Sequence, residues 1–305
     1  MTAAGESPWI RAMPLVFVGI WSTGFVVARF GMPHAPPLSF LAWRYALSVL
    51  AFGIWIALIR PPRPAWPQGR AQWGWLAVVG MLMHAGYLGG VWAAVKLGLG
   101  AGTTALIVGL QPVLTALWVA WAGSEHRVQP RQWAGLALGL AGLLLVVWHK
   151  LGVGEVSAAN LALALGALAS ITAGTLVQKA RVQPCDVRTA NTVQLLAALA
   201  VTAPLAALLE SEPIRLHPEL VGAMAWSVLG LTLGGSSLLY LLIQRGAATR
   251  VSSLMYLVPP CTAVLAWLLF GEALTAGVVA GLVLTAVGVG LVVRAPPVAG
   301  GAARA

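Results

Sequence analysis

Apolar residues run along this chain in blocks, not in alternation. Ten blocks stand out, at 13–30, 39–59, 72–95, 101–122, 131–149, 157–178, 189–209, 219–243, 250–270 and 274–293. A bilayer core takes about 20 apolar residues per helix, and each block lies near that length. Lipid offers a backbone no hydrogen bonds, so a spanning block must satisfy its own. The pattern therefore predicts ten transmembrane helices. A barrel would alternate apolar and polar residues in strands of about ten, and these blocks do not. Proline marks the joints, at Pro33, Pro36 and Pro37, at Pro61, Pro62 and Pro64, and at Pro130, Pro184, Pro213 and Pro218. The joints are too short to hide a separate soluble domain.

Composition sharpens this reading. Of 305 residues, 59% are hydrophobic and only 9% charged, against about a quarter charged in soluble domains. A net charge of +10 would suggest nucleic acid in a soluble protein, but most basic residues here lie between apolar blocks, so no nucleic-acid partner is expected. The first block could pass for a secretory leader. It ends in Arg29 without a small-residue cleavage site, and reads as the first helix. With the N-terminus inside, thirteen basic residues fall on the inner side: Arg11, Arg60, Arg63, Arg70, Arg127, Arg131, Lys179, Arg181, Arg188, Arg245, Arg250, Arg294 and Arg304. Arg29, Lys96, Lys150 and Arg215 fall outside. That bias predicts both termini in the cytoplasm.

One stretch occurs twice. Gln111 to Glu125 and Val258 to Glu272 each place a proline early in an apolar run and a glutamate thirteen residues later. Thr115 and Ala116 fall opposite Thr262 and Ala263. The match extends backwards at a shift of about 150 residues, with Gly24 opposite Gly174, Arg29 opposite Lys179 and Arg44 opposite Gln194. An internal repeat decides the fold. The expected halves are 1–150 and 151–305. Five helices per half is odd, so the second half enters the membrane upside down. The predicted fold is an all-α membrane protein of ten transmembrane helices in two five-helix, inverted-topology repeats. Such repeats mark transporters with a site between the halves near mid-membrane.

The residues match a known family. The chain resembles the drug/metabolite transporter superfamily, in its ten-helix EamA-type branch, over nearly its whole length. The resemblance is carried by Trp21 to Phe25, Pro36 with Pro37, Arg44, Pro112 with Glu125, and Pro259 with Glu272. Within that branch it looks most like the YddG-type exporters of aromatic and other neutral amino acids. Members typically have Trp-Gly in the first helix; Ser22 here departs from that, and is expected to loosen the packing. The resemblance implies a multi-pass protein of the bacterial inner membrane, with a small-molecule substrate and no enzymatic activity.

The candidate site residues are few. Arg44 stands about five residues into the second block, where it either snorkels to the interface or meets cargo. His84 lies mid-way along the third block, sharing a face with Gly80 and Tyr87. Thr104, Gln111 and Thr115 form a stripe on the fourth. Ser237 with Tyr240, and Ser252, Ser253 and Tyr256, form stripes on the eighth and ninth. Such stripes often only glue helices. With Trp21 and Gln194 they could line a small aromatic cavity with a few polar groups. The expected substrate contacts are Trp21, Arg44, His84, Tyr87, Gln111, Gln194, Ser237, Tyr240 and Tyr256. The Gly-x-x-x-Gly pairs Gly86/Gly90, Gly135/Gly139, Gly230/Gly234 and Gly277/Gly281 read as close helix contacts. Cys185 and Cys261 suggest neither disulfide nor metal, and no cofactor is implied. All eight acidic residues lie in tails, loops or helix ends. A mid-membrane carboxylate, common in ion-coupled carriers, is missing. That favours a facilitator, or coupling through His84.

The function expected is transport of a small neutral or zwitterionic metabolite by alternating access, and the resemblance points to amino acids, aromatic ones included. The rivals are other drug or metabolite cargo, or a non-transport membrane protein. The topology is directly testable. In a background lacking Cys185 and Cys261, a cysteine at Gly152 should react with an impermeant thiol reagent added outside. A cysteine at Gly69 should not, and the reverse pattern would sink the inverted-repeat argument.

Overall fold

The computed structural model describes residues 8–59, 64–121, 130–152, 154–235, 238 and 257–293. Among these residues every regular element is helical. In chain order they are α1 Pro8–Gly31, α2 Pro37–Leu58, α3 Arg70–Lys96, α4 in two pieces (Ala101–Val108 and Gln111–Trp121), α5 Pro130–Gly152 and α6 Ala158–Arg181. Then come α7 Val187–Leu209, α8 from Pro218 to Gly235, α9 Val258–Phe270 and α10 Ala276–Val293. Each overlaps one of the ten apolar blocks. Helices α2, α3, α5, α6 and α7 are long and apolar enough, on the described residues, to cross a bilayer. Local chemistry sets the ends. Proline opens α2, α5 and α8, where its missing N–H costs nothing. Ser157 and Asn160 form a reciprocal capping box on α6. Gly271 ends α9 in the left-handed conformation, at φ 67°, as a glycine can.

The packing obeys one exchange rule. Helix α5 packs on α10, α2 on α7, and α4 on α9. Helix α3 packs on α6 and α7, while α8 packs on α1 and α2; α6 meets α4, while α1 meets α9. Swapping helix n for n plus five maps this set onto itself. The paired helices are antiparallel. Glu210 accepts from the Leu38 and Ser39 amides at one end of the α2/α7 pair, and the Arg188 guanidinium lies over the Trp55 ring at the other. In α5/α10, Thr275 and His149 bond at 3.0 Å at one end, while Gly288 meets Gly139 further along. The inverted repeat read from the sequence is the architecture observed.

Glycine makes the closest seams. A Cβ on Gly142 would collide with the Gly281 carbonyl and Thr285, and one on Gly288 with the backbone of Gly135 and Gly139. In α3/α6, one on Gly86 would strike Ser170, and one on Gly90 the Leu163 carbonyl. Backbone approach of this kind drives association where lipid supplies no hydrophobic force. Ser22 does not loosen the bundle as expected. It is fully buried, bonds the Val18 carbonyl at 2.7 Å, and its own carbonyl accepts from Thr262 of α9. Its small hydroxyl returns to its own helix, so it takes little more room than glycine.

The two ends of the bundle differ in chemistry. One carries glutamates on helix N-termini. Glu210 caps α2 with two bonds of 2.7 Å. Glu272 caps α4 through the Ala101 and Gly102 amides, at 2.9 and 3.3 Å. Glu155 accepts from the Gly100 amide and the Thr103 hydroxyl, and pairs with buried Lys150. Carboxylates answer the partial positive charge of a helix start. Gly100 keeps room there, because a Cβ would crowd both carboxylates. Lys96 bonds Glu212 at 2.7 Å and the Met32 carbonyl at 3.2 Å, and holds the Glu212 carboxyl below its usual range. The other end carries Arg70, Arg131, Lys179, Arg181 and Arg188. Glu125, the repeat counterpart of Glu272, lies outside the described residues.

The α5/α10 seam yields a stability prediction. Gly288→Ala should lower the melting temperature of detergent-purified protein, because overpacking costs about 1–3 kcal/mol. Gly290→Ala, with nothing within 4 Å of the added carbon, should not. Equal melting of the two variants would show that the seam is not limited by backbone contact.

Candidate functional site

Two helices widen at related places. Residues Met81–Gly86 of α3 and Trp226–Gly235 of α8 are π-helical, and the n-plus-five exchange relates these helices. A π turn carries one extra residue per turn and disturbs the carbonyl ladder, often at functional sites. Side chains repair it here. Ser170 donates to the Leu82 carbonyl, Tyr45 to the His84 carbonyl, and Thr232 to the Ser227 carbonyl, each at 2.8 Å. In lipid such repair is compulsory.

Between the two π segments lies a cavity of about 110 Å³. Trp21 of α1, Arg44 of α2, His84 and Tyr87 of α3, and Leu231 and Thr232 of α8 line it. Ile171 of α6 adds an apolar wall. Both halves therefore contribute. His84 stands twelve residues from the α3 end at Lys96, or about 18 Å at 1.5 Å per residue, which is mid-membrane depth. Arg44 does not snorkel: its residue is 8% exposed and its guanidinium faces the cavity. Its Nη2 donates to Thr232 Oγ1 at 3.3 Å. Among the described residues no carboxylate lies within ion-pair distance of it. The Tyr45 ring meets His84 edge-on at 6.0 Å, and the Gln194 side chain lies beside the imidazole.

The sequence-predicted residues thus separate. Trp21, Arg44, His84 and Tyr87 converge on one cavity. Gln194 is buried behind His84, close enough to α3 that Gly80 admits no Cβ. Gln111 is not among the lining residues; its amide donates to Thr175 of α6 at 2.7 Å and joins two helices. Ser237, Tyr240 and Tyr256 lie outside the described residues. Tyr45 and Thr232 were not foreseen. Tyr45 looked like one more aromatic in an apolar block, though its place beside a buried arginine was a usable signal. Chemically the cavity offers one fixed positive charge, an imidazole, a hydroxyl and aromatic walls. This suits a small carboxylate with an apolar body.

Known proteins share the two-repeat arrangement of this chain. The profile of the EamA-like transporter family matches residues 10–148 and again 159–294. A probable amino-acid metabolite efflux pump of Salmonella typhimurium is 28% identical over 285 residues, covering 90% of this chain and 92% of the relative. The uncharacterized transporter YvbV of Bacillus subtilis is 26% identical over 291 residues, covering 92% and 90%. A solved structure described only as the crystal structure of a protein superposes with TM-score 0.61 at 19% identity, covering 94% of this chain and 98% of that one. At that identity the likeness concerns the fold.

The repair of the α3 π segment can be tested. Tyr45→Phe leaves the His84 carbonyl with the Tyr87 amide as donor, at a cost of about 0.5–1.5 kcal/mol for the lost bond. The expected result is a lower melting temperature and faster amide exchange in peptides covering 81–86. Unchanged exchange there would mean that the phenol is not what holds the turn.

Proposed function

Because the chain belongs to the EamA-like transporter family, we propose that it moves small neutral amino acids, aromatic ones included, across the bacterial inner membrane by alternating access. It is a membrane transporter and not an enzyme. The observation that carries the substrate reading is Arg44, a buried guanidinium on a cavity between the halves with no carboxylate partner among the described residues. A charge held inside a membrane protein marks function by default. A cargo carboxylate would supply the missing partner, and a guanidinium fork binds one at two points. Trp21 and Tyr87 would then face the cargo side chain, with His84 and Thr232 as hydrogen-bond partners. A cationic drug meets repulsion from Arg44. A nucleotide-linked metabolite would need more than one positive group. The name of the Salmonella relative favours amino acids and export.

The halves 1–150 and 151–305 serve as the moving bodies, and the arginine-bearing end faces the cytoplasm with both termini. Among the described residues no carboxylate lines the cavity, which favours a facilitator that runs down the cargo gradient. Liposomes containing the purified protein, tested with a panel of amino acids, check this. Uptake of neutral amino acids should need no pH gradient. Arg44→Gln should cut it roughly tenfold or more, since a charged hydrogen bond contributes about 1.5–3 kcal/mol. His84→Gln, which keeps hydrogen bonding but cannot titrate, should retain substantial transport. Uptake of cations that ignores Arg44→Gln would overturn the substrate assignment. Uphill accumulation driven by pH alone, and lost in His84→Gln, would overturn the facilitator.

A further inference from the structure

At the glutamate-bearing end the halves also meet through a cluster that cargo movement leaves without a role. His34 sits in the turn between α1 and α2, while His217 caps α8 and Glu219 lies in its first turn. Nε2 of His34 lies 2.8 Å from Oε2 of Glu219, and Nδ1 of His217 lies 3.8 Å from the same oxygen. All three ligand atoms fall within 4.8 Å of one another. The backbone holds the two segments in place, since the Arg215 amide donates to the His34 carbonyl at 2.8 Å.

We propose that His34, His217 and Glu219 form a site for a divalent transition-metal ion, zinc above all, that ties the first half to the second. Zinc bonds of about 2.0–2.2 Å in a tetrahedron set neighbouring ligand atoms about 3.3 Å apart. The two distances to Glu219 bracket that value. The imidazoles stack at 4.2 Å with planes 13° apart, so one ring must turn to aim its lone pair at a shared ion. His217, whose side chain is 48% exposed, is free to do so. Among the described residues, the hydrogen bond it gives up is a long one, 3.3 Å from the Glu219 amide. Two imidazoles and one carboxylate suit zinc, nickel or copper, and not magnesium or calcium. Exposure of His217 and Glu219 leaves an approach from solvent and a fourth position for water.

The ligands come from both halves, so an ion held here resists their separation at this end. It acts at a distance from the Arg44 cavity and does not compete with cargo. Binding is independent of what is transported; only the slowing of transport rests on the proposed function.

The test uses the full-length protein with any affinity tag removed. Calorimetric titration with zinc chloride should show one ion per chain, and magnesium should give no heat. His34→Ala and Glu219→Gln should each weaken zinc binding at least about tenfold, the least that even an outer partner of a metal ligand costs. Melting curves without metal establish that both variants fold. His149→Ala, at the same end but bonded to Thr275, should bind like the parent. Absence of binding, equal binding of magnesium, or unchanged affinity in His34→Ala and Glu219→Gln would overturn the site. In liposomes, zinc should slow uptake by the parent and not by His34→Ala. Binding without slowing overturns the tie between the halves. Failure of either protein to transport amino acids without zinc contradicts the functional reading instead.

Discussion

A backbone amide or carbonyl inside a bilayer has no water to turn to, and this bundle is built around that demand. Regular helix meets it without help. At several helix starts, and where a helix widens, a side chain supplies the bond, often from another helix. Glu210 of the second half covers the start of α2. Glu272 covers the start of α4 from across the repeat. Tyr45 and Ser170 reach the π segment of α3 from α2 and α6. Each repair is also a tether, so satisfying the backbone and holding the helices together are the same act.

These tethers divide the molecule by stiffness. The α5/α10 pair touches through glycine backbone and contributes nothing to the cavity. The helices that line the cavity meet through side chains and π turns as well as through glycine contacts such as that of Gly90 with α6. Side-chain hydrogen bonds can be exchanged, whereas backbone in van der Waals contact has nothing to rearrange. The inverted repeat places related elements on both sides of the cavity. The π segments of α3 and α8 show this directly, one supplying His84 and the other Thr232.

How much of this was legible in the sequence follows from the same physics. The ten helices were legible because the bilayer fixes the length of an apolar block. The inverted arrangement was legible because five is odd. Arg44, His84, Trp21 and Tyr87 were legible because polar or aromatic residues deep in a block must face something other than lipid. Orientation about each helix axis was not legible, since helices apolar all round carry no stripe to point inward. That is why Gln111 seemed a lining residue when it bonds Thr175. The cluster of His34 with Glu219 joins residues 185 apart, which no local pattern brings together.

Arg44 has a consequence for the membrane as a whole. Under the alternating access proposed above, the passage opens in turn to each side and risks leaking ions, and every leak drains the electrical and proton gradients on which the cell runs. A fixed positive charge with little water around it raises the energy of any hydronium or sodium ion that enters. Helices that shift their tilt need not shift that charge. The cell could therefore keep this passage in its membrane at little cost to its stored gradients, even between one turnover and the next.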